Sequence, residues 1–292
     1  MKRFLIIAPF LALTAIPATP GTPAAQSAPG APIPVIYAAQ AAAAPGAPPA
    51  ASKNTAFGDG ERLSFRVIYR AALIPSTELA TATLSVTKLP SGDYDILGNG
   101  KTASFAKWIY DIDDDYGAVV DPLTLRPRTA HARLREGDYR YNYDMTFDWD
   151  SMKVHSIFGN LKRPLRNKTM RLTDRSFEII SMFYNMRNED IASFRQGVAM
   201  PIDLVMEDTV QRINFYYLGQ ENVDLKKMGT YKAHKFKCQL LALGDKSNFY
   251  LWVSADANRI PLKVDSPVKV GSITALLNSY SGLRNAVESK VK

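Results

Sequence analysis

Lys162, Arg163, Arg166, Lys168 and Arg171 place five cations within ten residues, and Arg175 extends the run to six basic residues against one acid, Asp174. Like charges at this spacing repel, and an anionic partner relieves the repulsion. Guanidinium and ammonium groups in such number suit phosphates, such as those of lipid headgroups. The competing reading is a solvated basic loop. Arg126, Arg128, Arg133, Arg135 and Arg140 form a second run with the same chemistry. Asp111, Asp113, Asp114 and Asp115, with Asp121 close behind, offer the oxygen ligands that calcium uses. They lack the glycine and the final glutamate of an EF-hand loop, so a solvated turn before a strand is expected there.

Other chemistries leave little trace. His131, His155 and His234 have no second histidine at ligand spacing. Nucleophile elbows, phosphate loops and dinucleotide fingerprints are missing. The single cysteine, Cys238, excludes an intrachain disulfide and any multi-cysteine metal centre. Its place in an alternating segment makes it a buried free thiol. No catalytic residue, cofactor or metal ligand is therefore assigned. A Ser-His-Asp site built from distant segments leaves no mark in a sequence, which keeps an envelope hydrolase as the alternative.

The elements that must position these groups read as antiparallel strands. From Tyr139 to Asp150, large apolar or aromatic residues at odd positions alternate with polar residues at even ones, the period of a half-buried strand. This aromatic row is expected to face the core rather than to serve as a ligand platform. Leu63–Tyr69, Leu79–Leu89, Tyr94–Leu97, Met200–Met206, Val210–Leu218, Ala233–Leu243, Phe249–Ser254, Pro261–Val268 and Ser272–Tyr280 continue the pattern, for about ten to twelve strands in all. Turn residues separate them, as at Pro90-Ser91-Gly92-Asp93 and Leu243-Gly244-Asp245. Asp174–Asn188 instead spaces Phe177, Ile180, Phe183 and Tyr184 helically, with Asp174 as the N-cap. Short helical turns are expected within Ser104–Tyr110 and Leu283–Val291. The fold class is mainly β: a curved antiparallel sheet or incomplete β-barrel with one mid-chain helix, comparable in architecture to lipocalins and lipoprotein carriers. The basic segment 162–171 then falls in a surface loop at the mouth of the β-structure, beside that helix.

Met1-Lys2-Arg3 and the uncharged apolar stretch from Phe4 to Ile16 have the form of a secretory signal, too short to cross a bilayer. Ala and Pro fill 23 of the 36 positions from 17 to 52, a composition that stays extended and builds no core. The expected organisation is a signal peptide over 1–24, a spacer over 25–56, a β-rich domain over 57–282 and a C-terminal tail over 283–292. The chain has 292 residues and a formal net charge of +8, which becomes +6 when Lys2 and Arg3 are set aside. No cysteine follows the apolar stretch, so a lipoprotein is excluded, and export makes nucleic acid a poor partner.

Gly60-Glu61-Arg62-Leu63-Ser64-Phe65-Arg66-Val67 resembles the opening motif of the domain-of-unknown-function 3108 family of exported bacterial proteins. So do Gly229-Thr230-Tyr231 with Lys235 and Cys238, and above all the run from Trp252 to Val264 with Gly271-Ser272-Ile273 and Leu276 after it. The resemblance spans about residues 57–282. Glu78 departs from it, since similar proteins carry a small residue after the Ile/Leu-Pro pair. The resemblance implies export and a β fold, and brings no catalytic residues. Within the long motif, Asp256-Ala257-Asn258 suits a turn, Pro261 the start of an edge strand, and Arg259 pairing with a carboxylate.

These readings combine into one expectation. The protein is soluble, exported and non-catalytic, and resides in the periplasm of a Gram-negative bacterium. It binds an apolar or anionic ligand or partner: a lipid, a glycan or an envelope protein. Lys162, Arg163, Arg166, Lys168 and Arg171 make the peripheral contact with an anionic membrane surface. No cofactor is expected, and the oligomeric state is left open. An outer-membrane barrel is a further alternative, opposed by the mid-chain helix and the charged strand faces.

Overall fold

The computed structural model describes residues 54–72, 74–107, 111–240, 248–268 and 270–291; the expected signal peptide, nearly all of the spacer and the turn at 243–245 lie outside them. The first half of the chain forms β1 (Arg62–Ala71), β2 (Ile74–Lys88), β3 (Tyr94–Thr102), β4 (Asp113–Val120), β5 (Pro127–Glu136), β6 (Tyr139–Asp148), β7 (Lys153–Asn160), β8 (Arg166–Arg171) and β9 (Ser176–Phe177). Helix α1 (Ile179–Met186) follows. The second half forms β10 (Ala199–Val205), β11 (Val210–Asp224), β12 (Thr230–Leu240), β13 (Asn248–Ser254), β14 (Pro261–Pro267) and β15 (Ser272–Ser281).

All fifteen strands belong to one sheet, ordered β8-β7-β6-β5-β4-β3-β2-β1-β15-β14-β13-β12-β11-β10-β9. Two meanders run outward from the pairing of the first strand with the last, where Leu63 lies opposite Tyr280 and Val67 opposite Ala275. Neighbours are antiparallel except β9 and β10. The free ends of the sheet, β8 and β9, are joined by residues 172–175 alone. So short a link forces the two ends together, and the sheet curls into a barrel that no ladder closes. Side chains bridge the seam instead: the Lys168 ammonium donates to the Asp208 carbonyl at 2.7 Å, and the Thr173 hydroxyl to the Asp203 carboxylate at 2.7 Å. The incomplete barrel expected from the alternating pattern is thus the fold.

The curl turns one face of every long strand inward. Leu63, Phe65 and Val67 of β1, Tyr143, Met145 and Phe147 of β6, and Ile213 and Phe215 of β11 join one continuous core. Helix α1 is buried along its whole length. A helix wetted on no side needs walls around it, and β3, β4, β9 and β10 supply them.

Several expectations are corrected. The helix begins at Ile179 rather than near Asp174, because Ser176 and Phe177 pair with Asp203 and Leu204 and hold the chain extended. Glu178 is the N-cap, its carboxylate accepting from the Ile180 and Ser181 amides; Asp174 pairs instead with Arg126 at 2.7 Å. The strand count exceeds the expected range, because segments without an apolar row also pair. The predicted basic loop contains β8, and the predicted acidic turn contributes the start of β4. Pro261 does open a strand, but β14 lies between β13 and β15 and is no edge. Only Ser104–Ala106 of the expected 104–110 turn is helical among the described residues. The segment 283–291 forms no helix; Lys290 bridges to Tyr231. Asn54 and Ala56 are buried, so the folded body starts before the expected boundary at 57.

The meander sends alternate turns to opposite margins of the barrel. The β2–β3, β4–β5, β6–β7, β11–β12 and β13–β14 turns share one margin with residues 54–61 and the chain after β15. The turns β3–β4, β7–β8, β10–β11 and β14–β15 fall on the other.

Candidate functional site

The pleat of the β7–β8 hairpin sorts the predicted cations. Lys162 and Arg163 sit in its turn, which Asn160 closes by accepting from Arg163 N at its carbonyl (3.0 Å) and from Lys162 N at its side chain (2.9 Å). Along β8, Arg166 lies opposite Phe158 and Lys168 opposite Ser156, both buried on the inner face; Arg171 lies opposite the exposed Lys153. Arg166 and Lys168 therefore lean inward and Arg171 outward. Three of the five cations, Lys162, Arg163 and Arg166, line a single cleft of about 730 Å³ between the hairpin and the β10–β11 turn. Lys168 ties the cleft to Asp208, and Arg171 stands outside it.

Tyr139 and Tyr141 form one wall, their rings stacked 5.8 Å apart and 12° from parallel. The aromatic row of β6 is thus divided: Tyr143, Met145 and Phe147 are core, as expected, while its first two members face the cleft. The Arg166 guanidinium lies over the Phe158 ring, 4.6 Å from its centre, a cation–π contact. Glu207, Asp208 and Gln211 form the opposite wall. Burial pushes the Glu207 carboxyl up to about 7; Asp208 adds to the rise and Arg166 opposes it. Burial likewise raises the Tyr141 phenol. One oxygen each of Glu207 and Gln211 is buried without a hydrogen-bond partner. Lys162, Arg163 and Arg166 have no carboxylate within 4.0 Å among the described residues. The cleft thus brings three basic side chains into one cavity with Asp208 and with Glu207, whose carboxyl burial raises.

The second basic run has a different fate. Arg126 pairs with Asp174, Arg128 with Asp93 and Asp121, Arg133 with Asp144 and Arg135 with Asp115. Arg140 donates to the Gly137 and Tyr139 carbonyls. The acidic cluster is consumed in the same way, by Lys101 on Asp113 and Lys107 on Asp111. Asp114 alone points inward, fully buried, accepting from Arg135 N at 2.9 Å. No group of three His, Cys, Asp or Glu among the described residues is placed to hold a metal ion. His155 bonds Thr169 and His234 bonds Tyr217, on separate parts of the sheet. Cys238 is free and buried, as its alternation implied.

The opposite margin is braced by the motif residues themselves, beside a second cleft of about 510 Å³ whose lining includes Tyr217, His234, Asp256 and Arg259. Arg187, just past α1, meets the Glu61 carboxylate through two bonds of 2.6 and 2.7 Å, and both side chains are nearly inaccessible. Arg187 also donates to the Asn258 and Ala56 carbonyls, and the Tyr184 hydroxyl donates to Glu61. Asn258 accepts from Asn285 N, while Asp256 accepts from Ser289 and from Asn258 N. Arg259, expected to find a carboxylate, donates to the Arg187 and Glu189 carbonyls. Glu61, Asp256, Asn258 and Arg259 thus lock the chain ends and the helix together.

Sequence reasoning missed Tyr139, Tyr141, Glu207 and Gln211. The tyrosines carried a signal, since a twelve-residue alternation is longer than the buried core needs. Glu207 and Gln211 carried none, because only the curl of the sheet brings them beside residue 166.

Comparison with known proteins agrees with this architecture. Residues 64–278 match the family described as "Protein of unknown function (DUF3108)". Among curated proteins there is no match. The fold is similar to a crystal structure of a β-barrel-like protein of domain of unknown function DUF1849 from Brucella abortus, with a TM-score of 0.53 at 10% identity, covering 76% of this chain and 97% of that one. A protein of YmcC-like fold from Bacteroides fragilis aligns over 77% of this chain and 99% of its own, at 10% identity and a TM-score of 0.36.

Proposed function

From the premise that this chain belongs to the DUF3108 family, we propose that it is an exported, non-catalytic binding protein of the bacterial envelope that holds a phosphate-bearing ligand in the cleft at the open margin. One observation carries the reading. Lys162, Arg163 and Arg166 converge on one cavity without carboxylate partners, while four of the five arginines of the other basic run are neutralised by Asp. Unpaired cations that repel one another are stabilised by an anion, and the Arg166 guanidinium over Phe158 offers a fork that matches a phosphate. The stacked tyrosines offer a face for the glycerol or sugar that carries the phosphate. The lining provides cations, phenols, two carboxamides, Asp208 and a Glu207 carboxyl raised by burial, which is binding chemistry. The rival reading, an envelope hydrolase, has no observation in its favour at this cleft.

The test is calorimetric titration of the purified chain with dihexanoylphosphatidylglycerol, glucose 1-phosphate and the zwitterionic dihexanoylphosphatidylcholine. The first two separate a lipid headgroup from a glycan phosphate. The anionic compounds bind, and exchanging Lys162, Arg163 and Arg166 for Gln weakens them about tenfold or more, since each cation near an anionic group contributes on the order of 1 kcal/mol. Equal binding by the triple variant, or binding of the zwitterionic lipid alone, overturns the reading.

A further inference from the structure

The cleft opens beside exposed apolar residues; such residues also occur on the opposite margin, where the β4–β5 turn exposes Leu123 to 59%, but there no cationic cleft adjoins them among the described residues. In the β7–β8 turn Leu161 is 52% exposed and Leu165 is 49% exposed, and they flank Lys162, Arg163 and Pro164. The turn does not flop. Arg163 N and Lys162 N are bound to Asn160, and Leu161 N donates to the Arg140 carbonyl at 3.1 Å. Two leucines are therefore held out toward solvent by a braced hairpin. On the same margin, the β3–β4 turn exposes Phe105 to 61% and the β14–β15 turn exposes Val270 to 57%.

From these positions we infer that the open margin docks on an anionic lipid bilayer, with Leu161 and Leu165 inserted below the phosphates and Lys162, Arg163 and Arg166 at phosphate level. The inference rests on the reading of the cleft as a phosphate site and names its source, the headgroups of a membrane. Apolar tips ringed by cations are the composition of interfacial membrane-binding segments. The apolar residues also stand on separate turns rather than in one continuous patch. A protein partner covers a continuous patch, whereas a fluid bilayer fills the space between separate tips. The orientation is consistent with delivery: a margin resting on the membrane places the cleft mouth among headgroups, and the braced margin faces away.

The experiment uses the purified chain with phosphatidylcholine vesicles containing or lacking phosphatidylglycerol. The chain co-sediments with the anionic vesicles, most at low salt, because exposed charges are screened over about 10 Å at 0.1 M. The Leu161→Ser/Leu165→Ser variant loses about tenfold in vesicle affinity, while its thermal melting and its affinity for soluble dihexanoylphosphatidylglycerol are unchanged. The Leu161→Trp variant shows a blue-shifted emission that brominated lipids quench. Retained vesicle binding by the serine variant, or an unshifted tryptophan, overturns the inference. Displacement from vesicles by polyglutamate with no effect of the leucine changes also overturns it, in favour of an acidic protein partner. If the short-chain lipid binds the cleft while the vesicle experiments fail, the proposed function stands and only the docking is refuted; if the short-chain lipid also fails, the cleft reading falls with it.

Discussion

The two margins of the barrel treat charge in opposite ways. At the braced margin, Arg187 and Glu61 are buried as a two-bond pair, and the remaining guanidinium protons go to the Asn258 and Ala56 carbonyls. At the open margin, Lys162, Arg163 and Arg166 share a cavity with Glu207 and Asp208, and none of the three has a carboxylate at ion-pair distance among the described residues. A buried ion pair roughly balances its desolvation only when it is well satisfied, and losing one partner is then costly, so the first arrangement fixes how these segments meet. Cations held in a cavity without an ion-pair partner repel one another, and the proposed anion would relieve that repulsion. Of the family motif residues, Glu61, Asp256, Asn258 and Arg259 belong to the braced margin, whereas Gly271 and Ser272 lie at the β14–β15 turn on the other.

The strongest way to break this contrast is at Arg187. Arg187→Met leaves Glu61 buried without its partner and should cost about 3–5 kcal/mol, read from urea denaturation. Replacing Glu61 by Leu in the same chain should recover most of the loss. Neither variant, where folded, should change the affinity of the cleft for dihexanoylphosphatidylglycerol.

Asp114 tests whether charge is poorly tolerated inside the barrel wall. Burial raises its carboxyl to about 7 from an ordinary 3.8, and Oδ2 has no partner. A carboxyl whose folded value is raised binds its proton more tightly when folded, so its favourable contribution is full below the unfolded value and is lost as pH climbs. Stability should therefore fall between about pH 4 and pH 7, by an amount on the order of 2–4 kcal/mol. Asp114→Asn should flatten that slope and melt at a higher temperature than the parent at alkaline pH. Glu178 and Glu207, whose carboxyls burial also raises to about 7, keep part of the slope; a slope as steep as the parent's in the variant refutes the assignment.

Glu207 sharpens the open side of the comparison. As pH falls through about 7 it takes up a proton and the cleft gains positive charge, so the affinity for phosphatidylglycerol should rise severalfold from mildly alkaline to mildly acidic conditions. Glu207→Gln should hold the acidic affinity at every pH. Cys238 belongs to neither margin. It is buried in β12 with its thiol pushed up by burial, and Cys238→Ser should cost about 1–2 kcal/mol or less with no change in binding, as chemical denaturation and calorimetry would show.

How much was legible differs by element. The alternation of Tyr139–Asp150 predicted β6, and the recurring pattern predicted an incomplete barrel, because a side-chain period of two follows from strand geometry wherever the chain sits. Strand β8 was illegible for the reason that an edge strand needs no apolar row: its first four residues are exposed, whichever side they lean to. The start of the helix was also misread, since pairing with Asp203 outweighed the capping preference of Asp174. For the site, the cations were visible as a run, yet the same signal stood at Arg126–Arg140. Whether a basic run is neutralised depends on which carboxylates the register brings opposite it, and Asp144 and Asp115 reach Arg133 and Arg135 only across the ladder.

Local periodicity and composition, being properties of neighbouring residues, determined the β class, the buried thiol and the basic segment. Closure of the sheet determined the rest. The curl that brings β8 against β9 and β10 sets Glu207 and Gln211, some forty residues along the chain, opposite Lys162 and Arg166. A cavity is a relation between distant segments, and no spacing along the chain encodes it until the strands have paired.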